Sequence, residues 1–577
     1  MDDPGVEGTG QRQFPESPAR RSSQPGSVWA PARGLAKLLY SHNPFYLLSA
    51  WLVFSGLRAS FDTGGQAIAI WALIGGLAGY AVLLAITACV LIRLGRVWED
   101  IRTLVLLVLL MFVAISVSLD DALANELYRG ACWLAVGLVF AIAVSEGLLR
   151  GLRVRLRLGF RLPYYLLLAL FFLYPVALGS VLTSPSSAAL QWGLFGFSVA
   201  AGVAALTLLP AVRRGPHYVR DNGTPWPWPW FPWTWFGLMG LAVCMRSYYL
   251  CMSLHFVGGR ATIFGGYFLV PFLLAANVVL LELAIVAKNV ACQRWALAAP
   301  LVLSALATVG PVDEPVYLRF LSLFSDTLGA SPLYLSLTGA AVFYGFCWLR
   351  RVPTATSALS LALAGMACLD PRAVDLTDPL TFHGWPLVAI AMVQSVPLAA
   401  RRDSRRALFV ACLLVAAWQI EWGGTGFAGY EILSGAHLLL VAVLAVGAAF
   451  DDPFARLLRW LGAGLLLAVG IAMVVGVAQA PSGWPWWSTY AYLPMLAAIA
   501  LAYGVWAGPR AVCYAVAVIH VANSLAPWLF RGYMGVRRHV AGLDQLTLGA
   551  AFFLVALAIS LLKVGALERW RRWRKAG

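Results

Sequence analysis

Charge is what this sequence has least of. Only 12% of its 577 residues are Asp, Glu, Lys or Arg, where an average soluble domain carries about 25%. Lysine is nearly absent, at Lys37, Lys288, Lys563 and Lys575, so the positive charge is almost all arginine. With the abundant Ala and Gly, this bias reads as a GC-rich bacterial genome and says nothing of function. Cysteine pairs are missing as well. Cys89, Cys132, Cys244, Cys251, Cys292, Cys347, Cys368, Cys412 and Cys513 form no CxxC, and all lie in or beside apolar runs. They read as small apolar residues rather than disulfides or metal ligands, and no metal site is expected. No nucleotide, metal or catalytic motif stands out, which leaves enzyme status open and any cofactor unknown. No internal repeat is visible, and no polar stretch beyond the N-terminal tail is long enough for a soluble domain.

Apolar sequence fills the rest. The chain is 61% hydrophobic with a mean hydropathy of +0.78. A bilayer core about 30 Å thick needs roughly 20 apolar residues per helix, and about eighteen such runs can be drawn here. The expected fold is all-α, a polytopic transmembrane helical bundle. Its parts are a disordered cytoplasmic tail at 1–35, the bundle at 36–563 and a basic cytoplasmic tail at 564–577. The first tail is rich in Pro, Ser and Gly and has no apolar core, so it reads as neither folded nor a secretory signal.

The first run follows Asn43-Pro44, an N-cap and a first-turn proline. At about 44–57 it is short, and whether it spans stays open. The surrounding Tyr40-Ser41-His42-Asn43-Pro44-Phe45-Tyr46-Leu47 resembles the opening of some uncharacterised multi-pass bacterial membrane proteins, a likeness that implies no activity.

Basic residues set the orientation. With the N-terminus cytoplasmic and every run spanning, 33 of the 42 Lys and Arg fall on the cytoplasmic side. Eight fall outside (Arg58, Arg129, Arg260, Arg319, Arg372, Arg531, Arg537 and Arg538), and Arg246 is inside a span. That asymmetry predicts both termini inside. The net charge of +16 then reflects positive-inside loops and a bilayer with anionic lipids as partner, with no nucleic acid. Protein partners are left open. Two segments look interfacial. Alternate prolines in Pro225–Trp233 forbid a helix there and predict a polyproline-II strip of tryptophans at the cytoplasmic headgroups. The basic aromatic run Arg569–Lys575 reads as an anchor to anionic lipid. Gly75 and Gly79 stand at a helix close-packing spacing.

Ionisable groups inside spans cost at least ~2.5–3.5 kcal/mol on insertion scales, so they are the functional candidates. Arg246 lies near the centre of a span at 234–255, and Glu282 lies on the next span at a depth only ~7 Å different. An Arg246–Glu282 ion pair is therefore expected, either a register lock or a substrate site. His437, near Glu431, and His520, near Asn523, are of the residue type that suits a proton relay. A lone histidine bonded to a backbone carbonyl is the plainer reading. Glu146 is near the interface and within reach of water. Asp120 and Asp121, taken as the outer end of a span, are weak catalytic candidates. They resemble the carboxylates of integral-membrane glycosyltransferases that use lipid-linked donors. That resemblance implies metal and acceptor binding there. The family's acidic motif sits in the first outer loop, whereas this pair falls in the second, and the first offers only Asp62.

Three functions follow from these readings. The best fit is a transporter or flippase-like carrier in the bacterial cytoplasmic membrane. Pro175, Pro271, Pro300, Pro397 and Pro494 are the positions where its helices would break. The alternatives are the glycosyltransferase-like enzyme and an envelope scaffold.

Overall fold

The computed structural model describes residues 45–563 except 62–66, 96–97, 99, 183–186, 221, 227, 257–263, 353, 373–380, 423–430, 480–485 and 541. The two tails read from the sequence lie outside the described residues. No strand occurs among the described residues. Among the described residues eight helices are long and apolar enough to cross a membrane, and seven shorter ones are apolar. The chain divides into two compact units.

The first unit comprises residues up to 264, with 271–293 and 311–317. Its helices are α1 (Phe45–Phe61), α2 (Ala67–Val90), α3 (Ile101–Asn125), α4 (Leu127–Gly151) and α5 (Leu158–Leu182). They continue with α6 (Ser187–Leu206), the single turn α7 (Leu209–Arg213), α8 (Trp230–Phe256) and α9 (Val270–Val286). A π turn, Leu91–Gly95, closes α2.

Helix α3 is the hub. Of its membrane-length window 67% is buried, against half or less in the other long helices. It packs on α2, α4, α5 and α8. Its tight hairpin to α4 turns on Glu126 alone, and Gly130 makes that turn possible. A Cβ at Gly130 would stand 2.3 Å from Leu123 Cα. Gly75 and Gly79 do no such work. A Cβ at either meets nothing within 4 Å, so spacing alone misassigned them as packing sites.

The second unit comprises 265–270, 294–310 and 318–577. It holds α10 (Val290–Leu306), α11 (Pro315–Leu328), α12 (Pro332–Leu349), α13 (Ala355–Cys368), α14 (Gly384–Arg401) and α15 (Ser404–Trp422). Then follow α16 (Glu431–Ala449), α17 (Pro453–Gln479), α18 (Trp486–Trp506), α19 (Arg510–Arg537) and α20 (Leu543–Lys563). Consecutive helices pair as hairpins from α12 to α17, and α18 pairs with α19. One core gathers Leu440, Leu466, Val469, Leu496, Ala500 and Val516.

Caps are written in the sequence. Ser331-Pro332 opens α12, with Ser331 Oγ accepting from Tyr334 N at 3.2 Å. Asp452-Pro453 opens α17, with Asp452 Oδ1 accepting from Ala455 N at 2.6 Å. In both, a side-chain oxygen takes an orphan donor and the proline removes another.

Two segments differ from expectation. Helix α11 falls where an outer loop was read. It has 14 residues, too few to cross a bilayer. Phe320, Leu321, Phe324 and Ser325 are buried on one face, while Arg319, Ser322 and Asp326 are exposed. Its polar face hides it from a search for apolar runs. The Trp/Pro segment is not an extended strip. Residues 228 and 229 form a turn, and α8 starts at Trp230 with one non-helical residue, Phe231. Pro232 is tolerated because the first helical turn needs no donor from it. Trp226 stacks under the Arg102 guanidinium at 4.8 Å.

Candidate functional site

Arg246 is fully buried on α8, as is Asp120 on α3. The guanidinium donates from Nη1 to Asp120 Oδ2 at 2.5 Å and from Nη2 to Oδ1 at 2.8 Å. Such bidentate pairs are the strongest neutralising geometry available to arginine. The other donors turn to α5. Nε and Nη2 reach the Phe171 carbonyl at 3.3 and 3.1 Å, and Ser116 Oγ of α3 donates to it at 2.5 Å.

The sequence explains why that carbonyl is free. Pro175 lies four residues after Phe171 inside α5 and has no N–H to give it. The proline therefore leaves the helix unbroken and opens an acceptor for the buried arginine. Pro300, Pro397 and Pro494 also lie inside continuous helices, and Pro271 is in the first turn of α9. None of the five breaks a helix in the manner common among carriers.

The expected Arg246–Glu282 pair is not formed. Glu282 is buried on α9 and accepts from Arg213 Nη2 at 3.0 Å; Arg213 is half exposed. Adjacency in sequence picked the wrong partner. Helix α8 packs on α3, far back in the chain, and there Asp120 is inside the helix rather than at a wet terminus. The apolar run stops at Leu119, but α3 continues to Asn125. Asp120 thus has both oxygens engaged by arginine, which leaves it poorly placed to bind metal or an acceptor. The side chain of Asp121 lies outside the described residues, as does that of Glu431.

Glu146 on α4 accepts from Arg161 and from the Tyr165 hydroxyl of α5 through the same oxygen. Arg150, one turn on, approaches its other oxygen at 3.7 Å. In the second unit His437 of α16 hydrogen-bonds the Tyr492 hydroxyl of α18. His520 of α19 is buried and faces the Leu466 carbonyl of α17 at 3.1 Å through Nε2. Gly470 makes its seat, since a Cβ there would stand 2.0 Å from the ring. The two histidines thus have different partners and form no common relay in this arrangement.

Among the described residues no group of three His, Cys, Asp or Glu is placed to hold a metal. The cysteines are free thiols.

Sequence reasoning missed a recess in the first unit. It is a groove of about 500 Å³ between α2 and α4, closed at one end by the π turn. Val82, Ile86 and Val90 of α2 and Val144 of α4 form apolar walls. On α4 it is lined by Gly147 and Gly151, which add no side chain to fill it; Gly151 lies so close to Cys89 Sγ that a Cβ would meet it at 2.1 Å. Arg93, on the π turn, and Arg150 stand at one end. The only sequence signal was the pair of basic clusters flanking two spans.

No known protein family matches the chain, and neither a curated protein nor a solved structure matches it.

Proposed function

We propose that this chain is a multi-pass protein of the bacterial cytoplasmic membrane that acts as a transporter or flippase-like carrier for a lipid-like amphiphile. In this reading it crosses the bilayer about eighteen times, with both termini cytoplasmic, on the warrant of apolar length and the basic-residue asymmetry. The observation that carries the functional part is the groove between α2 and α4. Its volume of about 500 Å³ falls in the range of small-molecule sites, about 300–1,000 Å³. Its walls include Ile86, 55% exposed, and Val90, 45% exposed, so it opens sideways toward the surface that lipid would occupy.

The enzyme reading loses support because Asp120 is spent on Arg246. The scaffold reading keeps one specific support, the buried bidentate ion pair that ties three helices together.

Translocation of a fluorescent phospholipid in proteoliposomes tests the carrier. A Cβ at Gly147 meets nothing within 4 Å, so Gly147→Phe can place a ring in the groove, with the melting temperature checking that the helix pair is kept. Faster translocation with the intact chain, abolished by Gly147→Phe, supports the proposal. Rates equal to protein-free vesicles refute it.

A further inference from the structure

We infer that the groove between α2 and α4 binds one anionic phospholipid, with an acyl chain along Val82, Ile86 and Val90 and its phosphate held between Arg93 and Arg150. The inference rests on the carrier reading for its biological purpose but is tested by binding alone.

Three features fit that ligand. The long part of the recess is apolar and has no charged lining except at one end. An occupant must therefore be an apolar chain with a polar head at a fixed place. The head must be anionic, because the two polar residues at that end are both arginine, and arginine holds phosphate by paired donors. Both are available. Arg93 is exposed on the π turn. Arg150 is 82% exposed and stands 3.7 Å from Glu146, a loose approach to a carboxylate already engaged by Arg161 and Tyr165. The π turn contributes directly. Single π turns are found often at functional positions, and this one presents Arg93 at the end of the groove, opposite Arg150 on α4.

Depth also agrees. Both arginines sit at the end of the groove where the basic loops of the first unit gather. That is the face the charge asymmetry assigns to the cytoplasm, whose leaflet is rich in anionic lipid.

The test counts lipids retained by the purified full chain in native mass spectra. Phosphatidylglycerol and phosphatidylcholine with the same acyl chains are supplied at equal concentration. The intact chain is expected to retain one phosphatidylglycerol in preference to phosphatidylcholine. Each basic group near an anionic lipid surface contributes about a fivefold preference, so Arg93→Gln with Arg150→Gln should lower the preference about twenty-five-fold. Both side chains are exposed, so the folded state should persist, and the melting temperature checks this. Gly147→Phe keeps the charges and fills the groove; it should abolish retention of either lipid there. Equal preference in the intact chain and the double glutamine variant would overturn the inference. So would full retention in Gly147→Phe, which would make the contact a headgroup effect outside the groove. Displacement of the lipid by millimolar inorganic phosphate would point to a free anion instead and also overturn it. Selective binding without translocation would leave this inference standing and sink the carrier reading. Translocation without selective binding would do the reverse.

Discussion

Asp120 and Arg246 stand 126 residues apart and meet in a bidentate pair, both without solvent exposure. Three helices are pinned by it, because the same guanidinium holds the Phe171 carbonyl of α5. Each of the three guanidinium nitrogens donates within the protein. The arrangement has the properties of a register lock, and no room is left in it for a passing substrate.

Removing one partner should cost more than removing both. A lone buried charge costs about 3–5 kcal/mol, whereas replacing the pair with apolar residues is often near neutral. Arg246→Met and Asp120→Leu should each lower the melting temperature in detergent sharply. The double variant should recover a large part of the loss. Additive losses would show that the two do not act as a pair.

Pro175→Ala probes the same carbonyl. An interior proline usually costs a helix about 3 kcal/mol. Here the Phe171 oxygen is already satisfied by Arg246 and Ser116, so the alanine should gain less than about 1 kcal/mol. A stabilisation near the full value in chemical unfolding would contradict this.

These relationships mark the limit of what the sequence disclosed. Hydropathy located the membrane-length helices, because a run of apolar residues and a helix that must bury its backbone bonds coincide. It misplaced Asp120, because the helix outlasts the apolar run by several residues. It paired Arg246 with Glu282, because chain order names the nearest neighbour in sequence and α8 chose α3 instead. The amphipathic α11 and the groove were invisible for a related reason. The polar face of α11 interrupts its apolar run, and the groove depends on which face of α2 meets α4, where both faces are apolar and periodicity is weak.

His520 predicts a steric test in the second unit. Gly470→Ala would place a methyl 2.0 Å from the imidazole. Overpacking of this kind costs about 1–3 kcal/mol. The melting temperature should fall, and His520→Ala in the same chain should restore much of it. An unchanged melting temperature in Gly470→Ala would show that the ring moves aside freely.

Asp452 predicts an acid-side dependence. Its carboxylate accepts from the Ser404 hydroxyl at 2.6 Å, from Ala455 N at 2.6 Å and from Ser404 N at 3.0 Å. The Ser404 hydroxyl above all, then these backbone donors, holds its pKa below the ordinary carboxylate value. A depressed folded-state pKa stabilises above the unfolded value and is lost as pH falls through the folded one. The stabilisation should be complete at neutral pH and fade below about pH 4. Melting curves against pH should show a shallower acid-side fall in Asp452→Asn. Identical profiles would exclude this role for the cap.

Orientation is open to reporter fusions. Those after residues near 155, 405 and 577 should report cytoplasm, and those near 123, 374 and 425 the outside. One clear reversal within either group contradicts the arrangement built on the basic residues.

The lock, Asp120 with Arg246, stands apart from the groove between α2 and α4 that is proposed to carry lipid. The most direct single measurement is the lipid translocation rate of the Arg246→Met, Asp120→Leu double variant in proteoliposomes, with its folded fraction checked by melting. The account predicts a rate within about twofold of the intact chain, since the pair only holds helices in register. A folded double variant that no longer moves lipid would contradict it and place the pair in the transport path.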